Sequence, residues 1–200
     1  MKKFVPILFL SLLLILFVGC IAQNDKNEDL TPYLKSIKNY STDMDMTIQN
    51  DKQKLKYEAK QFYSQGLGYR LELNKERVFI YTDDKISVSD SISGQKYSID
   101  STSDDVYKIS FLNEFIKLLN VDGKTNYTFK KINGENYELL TASMAENNRN
   151  IDRLVLYVNQ KEKSPRALVI YDAKGNEKII IKYSNFKNER HIDKSLFNVN

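Results

Sequence analysis

Three places in the sequence hold residue types that can do chemistry. Cys20 is the only cysteine, and a thiol can act as a nucleophile, a metal ligand or the acceptor of a lipid. Asp43 and Asp45 alternate along a short segment, which would place two carboxylates on one face of a strand. His191 is the only histidine and would be the only imidazole for acid-base work. The surrounding segments decide which of these chemistries is expected.

Cys20 follows an N-terminal segment with the three parts of a secretory signal. Two lysines form the basic start, Val5 to Phe17 form the apolar part, and Gly19 supplies a small residue at the cleavage point. The uncharged run from Phe4 to Ala22 sits at the lower edge of the length that a transmembrane helix needs. Its length alone does not exclude an uncleaved signal anchor, but the three parts together predict export.

The end of this segment, Phe17-Val18-Gly19-Cys20, resembles the bacterial lipobox, although leucine is usual where Phe17 stands. In that motif the cysteine receives a diacylglyceryl group and becomes the first residue of the mature protein. We therefore predict that residues 1–19 are removed and that Cys20 is lipidated; cleavage to a free thiol is the other alternative. Two acyl chains hold a protein stably on a bilayer, whereas one chain is marginal.

The composition of the mature chain limits the remaining possibilities. About 180 residues are enough for one domain with a sizeable core. Without the two lysines of the signal, 28 basic side chains face 26 acidic ones, a formal charge of +2, and the lysines are scattered among the acids. That balance argues against a nucleic-acid partner, which would require a concentrated basic patch. With Cys20 lipidated, no thiol remains for a disulfide or a metal site.

The pattern of polar residues does not predict an enzyme. No third ligand accompanies Asp43 and Asp45, so a solvated strand face is the favoured interpretation of that pair. His191 lies among charged residues near the C-terminus, and no Gly-rich phosphate loop occurs. We predict no catalytic, metal-binding or cofactor-binding residue and no cofactor, and the sequence leaves the partner-binding residues open.

The elements predicted after Cys20 are mainly strands. Residues 20–29 are expected to be the lipidated cysteine and a polar tether, and residues 30–200 a single domain that opens with a short helix near Pro32. From Ser41 the hydrophobic period changes to two, which predicts about ten short strands separated by turns such as Asn133-Gly134. The polar segment 145–150 is expected to be the most flexible loop.

One strong helical pattern interrupts the strands. The segment from Ser101 to Lys124 has capping candidates in Ser103 and Asp104, and Gly123 lies just beyond its end. Its apolar stripe consists of Ile109, Leu112, Phe115, Ile116 and Leu119. The predicted fold class is therefore α+β, mainly β: a large curved antiparallel sheet, an incomplete barrel, with this helix packed in its hollow and a short helix at the N-terminus.

The element pattern, together with the closing segment "YSNFKNERHIDKSLFNV", resembles the lipoprotein-carrier superfamily of LolA and LolB over roughly residues 30–200. Within it, the lipobox, "YLKSIKNYSTDMDMTI" and "GYRLELNKERVFIYTDDKISVSD" are most similar to germination lipoproteins of the GerS type. That resemblance implies a membrane-anchored, non-catalytic lipoprotein that binds and activates an N-acetylmuramoyl-L-alanine amidase of the CwlD type, needed for spore cortex modification and germination.

The carrier side of the resemblance implies a different function, an acyl-chain binder of the LolA/LolB type. A carrier moves freely, whereas Cys20 would fix this chain to the outer face of a bacterial membrane, or of the forespore or spore if the resemblance holds. The fold is therefore carried over but not the cargo site, and Arg70 is not assigned the role of a carrier arginine. Exposed sheet edges would permit docking or a homodimer by strand addition.

Overall fold

The computed structural model describes residues 27–82, 84–104, 106–119, 126–143 and 151–198. Within these ranges the chain forms eleven strands in one antiparallel sheet, two α-helices and three short 3-10 helices. The strands are β1 (Asn39–Gln49), β2 (Lys54–Ser64), β3 (Gly68–Leu73), β4 (Arg77–Tyr81), β5 (Lys85–Asp90), β6 (Lys96–Asp100), β7 (Asn126–Ile132), β8 (Glu135–Ser143), β9 (Arg153–Asn159), β10 (Ser164–Tyr171) and β11 (Glu177–Asn188). The α-helices are α1 (Thr31–Ser36) and α2 (Leu112–Leu119), and the 3-10 helices are Ser101–Ser103, Lys108–Ser110 and Lys194–Phe197.

The sheet consists of two meanders joined in the middle. Its strand order is β6-β5-β4-β3-β2-β1-β11-β10-β9-β8-β7, so each strand within a meander pairs with its neighbour in the chain. The first and last strands, β1 and β11, pair with each other and join the two halves. The edges of the sheet are therefore β6 and β7.

The alternation in β1 gives the sheet two chemically different faces. Met44 and Met46 are 2% and 1% exposed, whereas Asp45 between them is exposed. Successive side chains of a strand point to opposite faces, so the apolar set packs on the core while the carboxylates meet water. We call the face of Met44 and Met46 the inner face, and that of Asp43 and Asp45 the outer face.

Tight turns connect several of the neighbouring strands. Asn133 and Gly134 both have positive φ, at 51° and 87°, which is the backbone that a type I′ hairpin turn requires. The Asn133-Gly134 turn predicted from the sequence is therefore confirmed. Asn74 and Lys75 adopt the same left-handed backbone between β3 and β4.

The core lies between the inner face and the segment that contains α2. One face of this helix is buried, and its buried residues are Leu112, Phe115, Ile116 and Leu119. Phe111, just before the helix, is completely buried, and its ring centroid lies 4.8 Å from that of Tyr69 and 5.8 Å from that of Tyr81. Burying each large apolar side chain contributes roughly 1.5–3 kcal/mol, so this segment is a main source of stability.

The central helix begins later than the sequence predicts. Ser103 and Asp104 are good capping residues, but α2 starts at Leu112. The Asp104 carboxylate instead accepts the Tyr107 N–H at 3.0 Å and the Tyr81 hydroxyl at 2.6 Å. Asp104 therefore closes a turn that is tied to β4, and these tertiary hydrogen bonds override the local helical pattern.

The predicted fold class is confirmed. The chain is mainly β, with one large open antiparallel sheet, a central helix and a short N-terminal helix. Of the parts of the chain that the structure describes, neither helix has the length and apolar character needed to cross a bilayer. The predictions for Cys20, for Gly123 and for the loop 145–150 concern residues outside the described ranges.

Candidate functional site

The N-terminal end of the domain is held by the turn between β9 and β10. The Glu28 N–H donates to the Gln160 side-chain oxygen at 2.9 Å, and the Gln160 amide donates back to the Glu28 carbonyl at 2.9 Å. The Glu28 carboxylate also pairs with Lys163 at 2.8 Å. We call these three residues the N-terminal clip. It fixes the place where the segment from Cys20 enters the domain.

A buried carboxyl group lies beside this clip. Glu138 on β8 is 0% exposed, and its Oε2 accepts the Leu30 N–H at 2.9 Å. Burial raises the pKa of Glu138 to about 7; the hydrogen bond from the Leu30 N–H opposes this rise, and the nearby carboxylates of Asp29 and Glu28 add to it. The backbone at the start of the folded domain is therefore hydrogen-bonded to a carboxyl group, that of Glu138, whose charge changes near neutral pH.

The hollow of the sheet is filled by the chain's own side chains. Phe111 and Phe115 are 0% exposed and occupy the space that faces the inner surfaces of the strands. Buried hydrogen bonds lock the segment in place: the Tyr183 hydroxyl donates to the Ser110 carbonyl at 2.5 Å, and the Gln61 amide donates to the Ser110 hydroxyl at 2.5 Å. A carrier needs an empty apolar cavity, whereas these side chains make a packed core.

A polar groove remains beside α2 at one end of the inner face. It has a volume of about 560 Å³ and is lined in part by Tyr63, Tyr69, Tyr81, Glu114 and Lys117. The Glu114 carboxylate accepts the Tyr69 hydroxyl at 2.5 Å and pairs with Lys117 at 2.6 Å. Burial, and then Glu114, raises the pKa of the Tyr69 hydroxyl, so this group stays protonated. Tyr69, Glu114 and Lys117 thus satisfy one another's hydrogen-bonding groups and form a structural hydrogen-bond network.

The carboxylate pair at Asp43 and Asp45 lies on the outer face. Asp43 accepts the Asn185 side-chain amide at 2.7 Å, and Asp45 stands opposite Lys182 of β11 in the strand register. Among the described residues, no three His, Cys, Asp or Glu side chains come together to form a metal site. The pair is thus part of a charged, solvated sheet face.

The C-terminal segment, which follows β11 and lies over the outer face, contains His191 and is held by Arg70. His191 is exposed, while the neighbouring Ile192 is 7% exposed. The Arg70 guanidinium donates to the Leu196 carbonyl at 2.8 Å and pairs with Glu72 at 2.8 Å. Arg70 therefore holds the C-terminal segment against β3, on the face opposite to the hollow.

The two sheet edges expose aromatic side chains. On β7, Tyr127 and Phe129 are 43% and 38% exposed, and their rings meet edge to face with centroids 5.6 Å apart. On β6, Tyr97 is 47% exposed. Exposed aromatic groups beside unpaired backbone are typical of surfaces that bind another chain.

Sequence reasoning missed Glu138, and a signal for it was present. The segment "ENYELLTAS" alternates so that Glu138 shares a face with Leu140 and Ala142, both of which are buried. A carboxyl group in an apolar stripe predicts either a partner or a raised pKa. Its partner, the Leu30 N–H, is 108 residues away and gives no local signal.

The chain matches one protein family over nearly its whole length. The family described as "Sporulation protein YdcC-like" matches residues 1–197. No curated protein matches the chain in sequence.

Several solved structures are similar to this chain at low sequence identity. An uncharacterized conserved protein from Thermus thermophilus is 10% identical with a TM-score of 0.54, and the match covers 86% of this chain and 91% of that one. A putative outer membrane lipoprotein-sorting protein domain from Vibrio parahaemolyticus is 12% identical with a TM-score of 0.48, over 87% and 97%. The GerS lipoprotein, solved in complex with the CwlD amidase from Clostridioides difficile, is 22% identical with a TM-score of 0.49, over 80% and 92%. The expected resemblance to a family of proteins from spore-forming bacteria is borne out by the match to a sporulation family.

Proposed function

Because this chain belongs to the YdcC-like family of sporulation proteins, we propose that it is a non-catalytic lipoprotein that binds and activates a CwlD-type N-acetylmuramoyl-L-alanine amidase. In this proposal Cys20 anchors the mature chain to the outer face of the forespore or spore membrane. The amidase modifies cortex peptidoglycan for germination. The partner enters the proposal from the sequence resemblance to GerS-type lipoproteins.

The filled hollow is the observation that favours partner binding over transport. Phe111 and Phe115 are fully buried where a carrier would hold acyl chains. Emptying that space would expose a large apolar surface and break the buried hydrogen bond between Tyr183 and Ser110. The partner is therefore expected to bind a surface of the domain that lies outside the hollow.

The outer edge of β7 is the surface that we assign to the amidase. Every residue from Asn126 to Lys131 is exposed, so the backbone groups on the free side of this strand are accessible. Strand addition by the partner would pair those groups, and the Tyr127–Phe129 pair would supply the aromatic anchor that dominates many interfaces.

Activation of the amidase needs only differential binding. If this chain binds the active conformation of the amidase more tightly than the inactive one, each 1.4 kcal/mol of difference shifts the amidase about tenfold toward activity. No catalytic group of this chain has to enter the amidase active site.

The experiment uses the mature chain, residues 20–200, with Cys20→Ser to keep it soluble. The chain and a CwlD-type amidase are purified separately, and hydrolysis of peptidoglycan is measured for each protein alone and for the mixture. We expect a stable complex and a rate increase only in the mixture. A rate that does not change on mixing contradicts the proposal, and hydrolysis by this chain alone would make it an enzyme.

Acyl-chain binding of the LolA/LolB type is the alternative, and native mass spectrometry separates the two functions. The packed hollow predicts that the chain purifies without ligand. A co-purified acyl chain, together with no effect on the amidase, would favour the alternative.

A homodimer through a sheet edge remains a prediction, and β6 offers a self-complementary register. Antiparallel pairing of two β6 strands about Ser98 would place Lys96 opposite Asp100 at both ends. Sedimentation velocity of the Cys20→Ser chain with and without Lys96→Asp would report this: a dimer that the substitution does not weaken rules out this register.

A further inference from the structure

The N-terminal clip determines which end of the domain is close to the membrane. Both hydrogen bonds between Glu28 and Gln160, and the Glu28–Lys163 ion pair, hold residue 28 at the turn between β9 and β10. Only residues 21–27 separate this point from Cys20. Seven residues span at most about 25 Å when fully extended.

Antiparallel pairing gathers other turns at the same end. The turn between β7 and β8 and the segment between α1 and β1 lie there, together with the β9–β10 turn. The β2–β3 turn also lies at this end, and we call the part of it around the clip, residues 28–38, 130–135 and 159–166, the tether end. The turns between β1 and β2 and between β10 and β11 form the opposite end, and β11 with 12 residues is about 40 Å long. The extended tether is shorter than β11. The domain therefore cannot turn its opposite end to the membrane while residue 28 stays tethered to Cys20.

The tether end carries a net positive charge. It contains seven basic and four acidic side chains, a net +3. Two ion pairs, Glu28–Lys163 and Glu162–Arg166, lie within it and leave this net charge unchanged. Lys38 and Lys161 are exposed there. Lysines next to a bilayer are attracted by anionic headgroups.

From this placement we propose that the tether end is a docking surface for anionic phospholipid headgroups. The lipid on Cys20 supplies the anchor, and the lysines orient the domain so that its long axis points away from the bilayer. The β6 and β7 edges then run away from the membrane, and residues 126–129 of β7, which include Tyr127 and Phe129, lie outside the docking surface. The inference rests on the anchoring at Cys20 that is part of the proposed function, but not on the identity of the partner.

The chain offers a clean optical test because it contains no tryptophan. Gln65 lies in a turn at the clip side of the sheet, and Gln53 lies in a turn at the opposite end; both are exposed. Q65W and Q53W are made separately in the chain from residue 20 onward. The thiol of Cys20, the only cysteine, is coupled to a maleimide lipid in vesicles that contain a dansyl headgroup acceptor. Energy transfer from tryptophan then reports the distance of each end from the headgroups.

On phosphatidylglycerol vesicles we expect much stronger energy transfer for Q65W than for Q53W. The difference should fall on phosphatidylcholine vesicles and in high salt, because it depends on charge. Equal transfer from both ends, or a difference that does not respond to headgroup charge, overturns the proposal. Because coupling is chemical, the outcome does not depend on whether cells lipidate Cys20.

A matched pair of charge reversals identifies the surface. K38E/K161E alters the tether end, and K52E/K174E alters exposed lysines in turns at the opposite end. With the uncoupled Cys20→Ser chain, we expect the first variant to lower partitioning onto phosphatidylglycerol vesicles at least about 25-fold: roughly fivefold for each lysine lost, and more from the repulsion of the new glutamates. The second variant should leave partitioning unchanged. Equal effects of the two variants contradict the proposal. Both variants should still activate the amidase in solution. A result that contradicts the lipid-docking proposal can therefore be told apart from one that contradicts the proposed function.

Discussion

The Tyr40 hydroxyl on β1 accepts the backbone N–H of Leu112, the first residue of α2, at 3.0 Å in a fully buried site. The first N–H groups of a helix have no partner within the helix, so this hydroxyl satisfies one that would otherwise be unpaired. The sheet thereby sets the position at which the central helix begins.

Tyr40→Phe should lower the free energy of unfolding by about 1–3 kcal/mol, because it leaves the Leu112 N–H buried without an acceptor. Urea unfolding followed by circular dichroism measures the loss. Tyr97→Phe, at an exposed site on β6, is the control and should change stability little. Equal stability of the two variants would mean that the buried hydrogen bond contributes nothing.

Glu138 should make the domain less stable as the pH rises from about 4.5 to 7. Its pKa is raised to about 7 in the folded chain, so the folded state holds a proton that the unfolded state has already lost across this window. The slope from one group cannot exceed about 1.4 kcal/mol per pH unit. Glu138→Gln should remove this part of the pH dependence, as measured by urea unfolding at several pH values. An unchanged pH profile would show that Glu138 titrates normally.

Gly68→Ala should destabilise the turn between β2 and β3 by more than about 2 kcal/mol. Gly68 has φ of +102°, and an added Cβ would lie 2.3 Å from the Tyr81 carbonyl oxygen, a backbone atom. Gly94→Ala is the matched control: its φ is +69°, but open space surrounds the added Cβ, so only backbone strain of about 1 kcal/mol is expected. Thermal unfolding of both variants separates the clash from the strain.

Tyr127→Ala combined with Phe129→Ala should weaken amidase binding at least tenfold, because exposed aromatic pairs supply much of the free energy of binding at such edges. Both side chains are already partly exposed, so the fold should survive. Tyr97→Ala on the other edge serves as the control. Titration calorimetry with the amidase that finds all three proteins equivalent would move the interface away from β7.

Cys20 should carry a diacylglyceryl group and form the N-terminus of the mature protein. The short apolar run, Gly19 and the thiol are the features on which this prediction rests. Mass spectrometry of the membrane fraction checks it, with Cys20→Ser as the unlipidated control. A mature peptide that still contains Phe17 would show that the signal is retained.

The alternating patterns of single strands could be predicted because they are local. The alternation of buried and exposed side chains is visible in the three consecutive residues Met44, Asp45 and Met46. The Asn133-Gly134 turn likewise forms without a distant partner. The helix start at Leu112 could not be predicted, since Tyr81 and Tyr107 engage Asp104 and remove it from a capping role. The N-terminal clip could not be predicted either, because Glu28 and Gln160 are 132 residues apart.

The order of the strands has a consequence for how the chain folds. Among the strands of the described ranges, only β1 and β11 pair across most of the sequence, while all other pairs are neighbours in the chain. Each meander can therefore form early from local contacts, and the slow step is the search that brings Met46 of β1 beside Ile181 of β11. Until β11 has emerged, β1 is an unpaired edge rich in apolar side chains, and the nascent chain is at its most prone to aggregate.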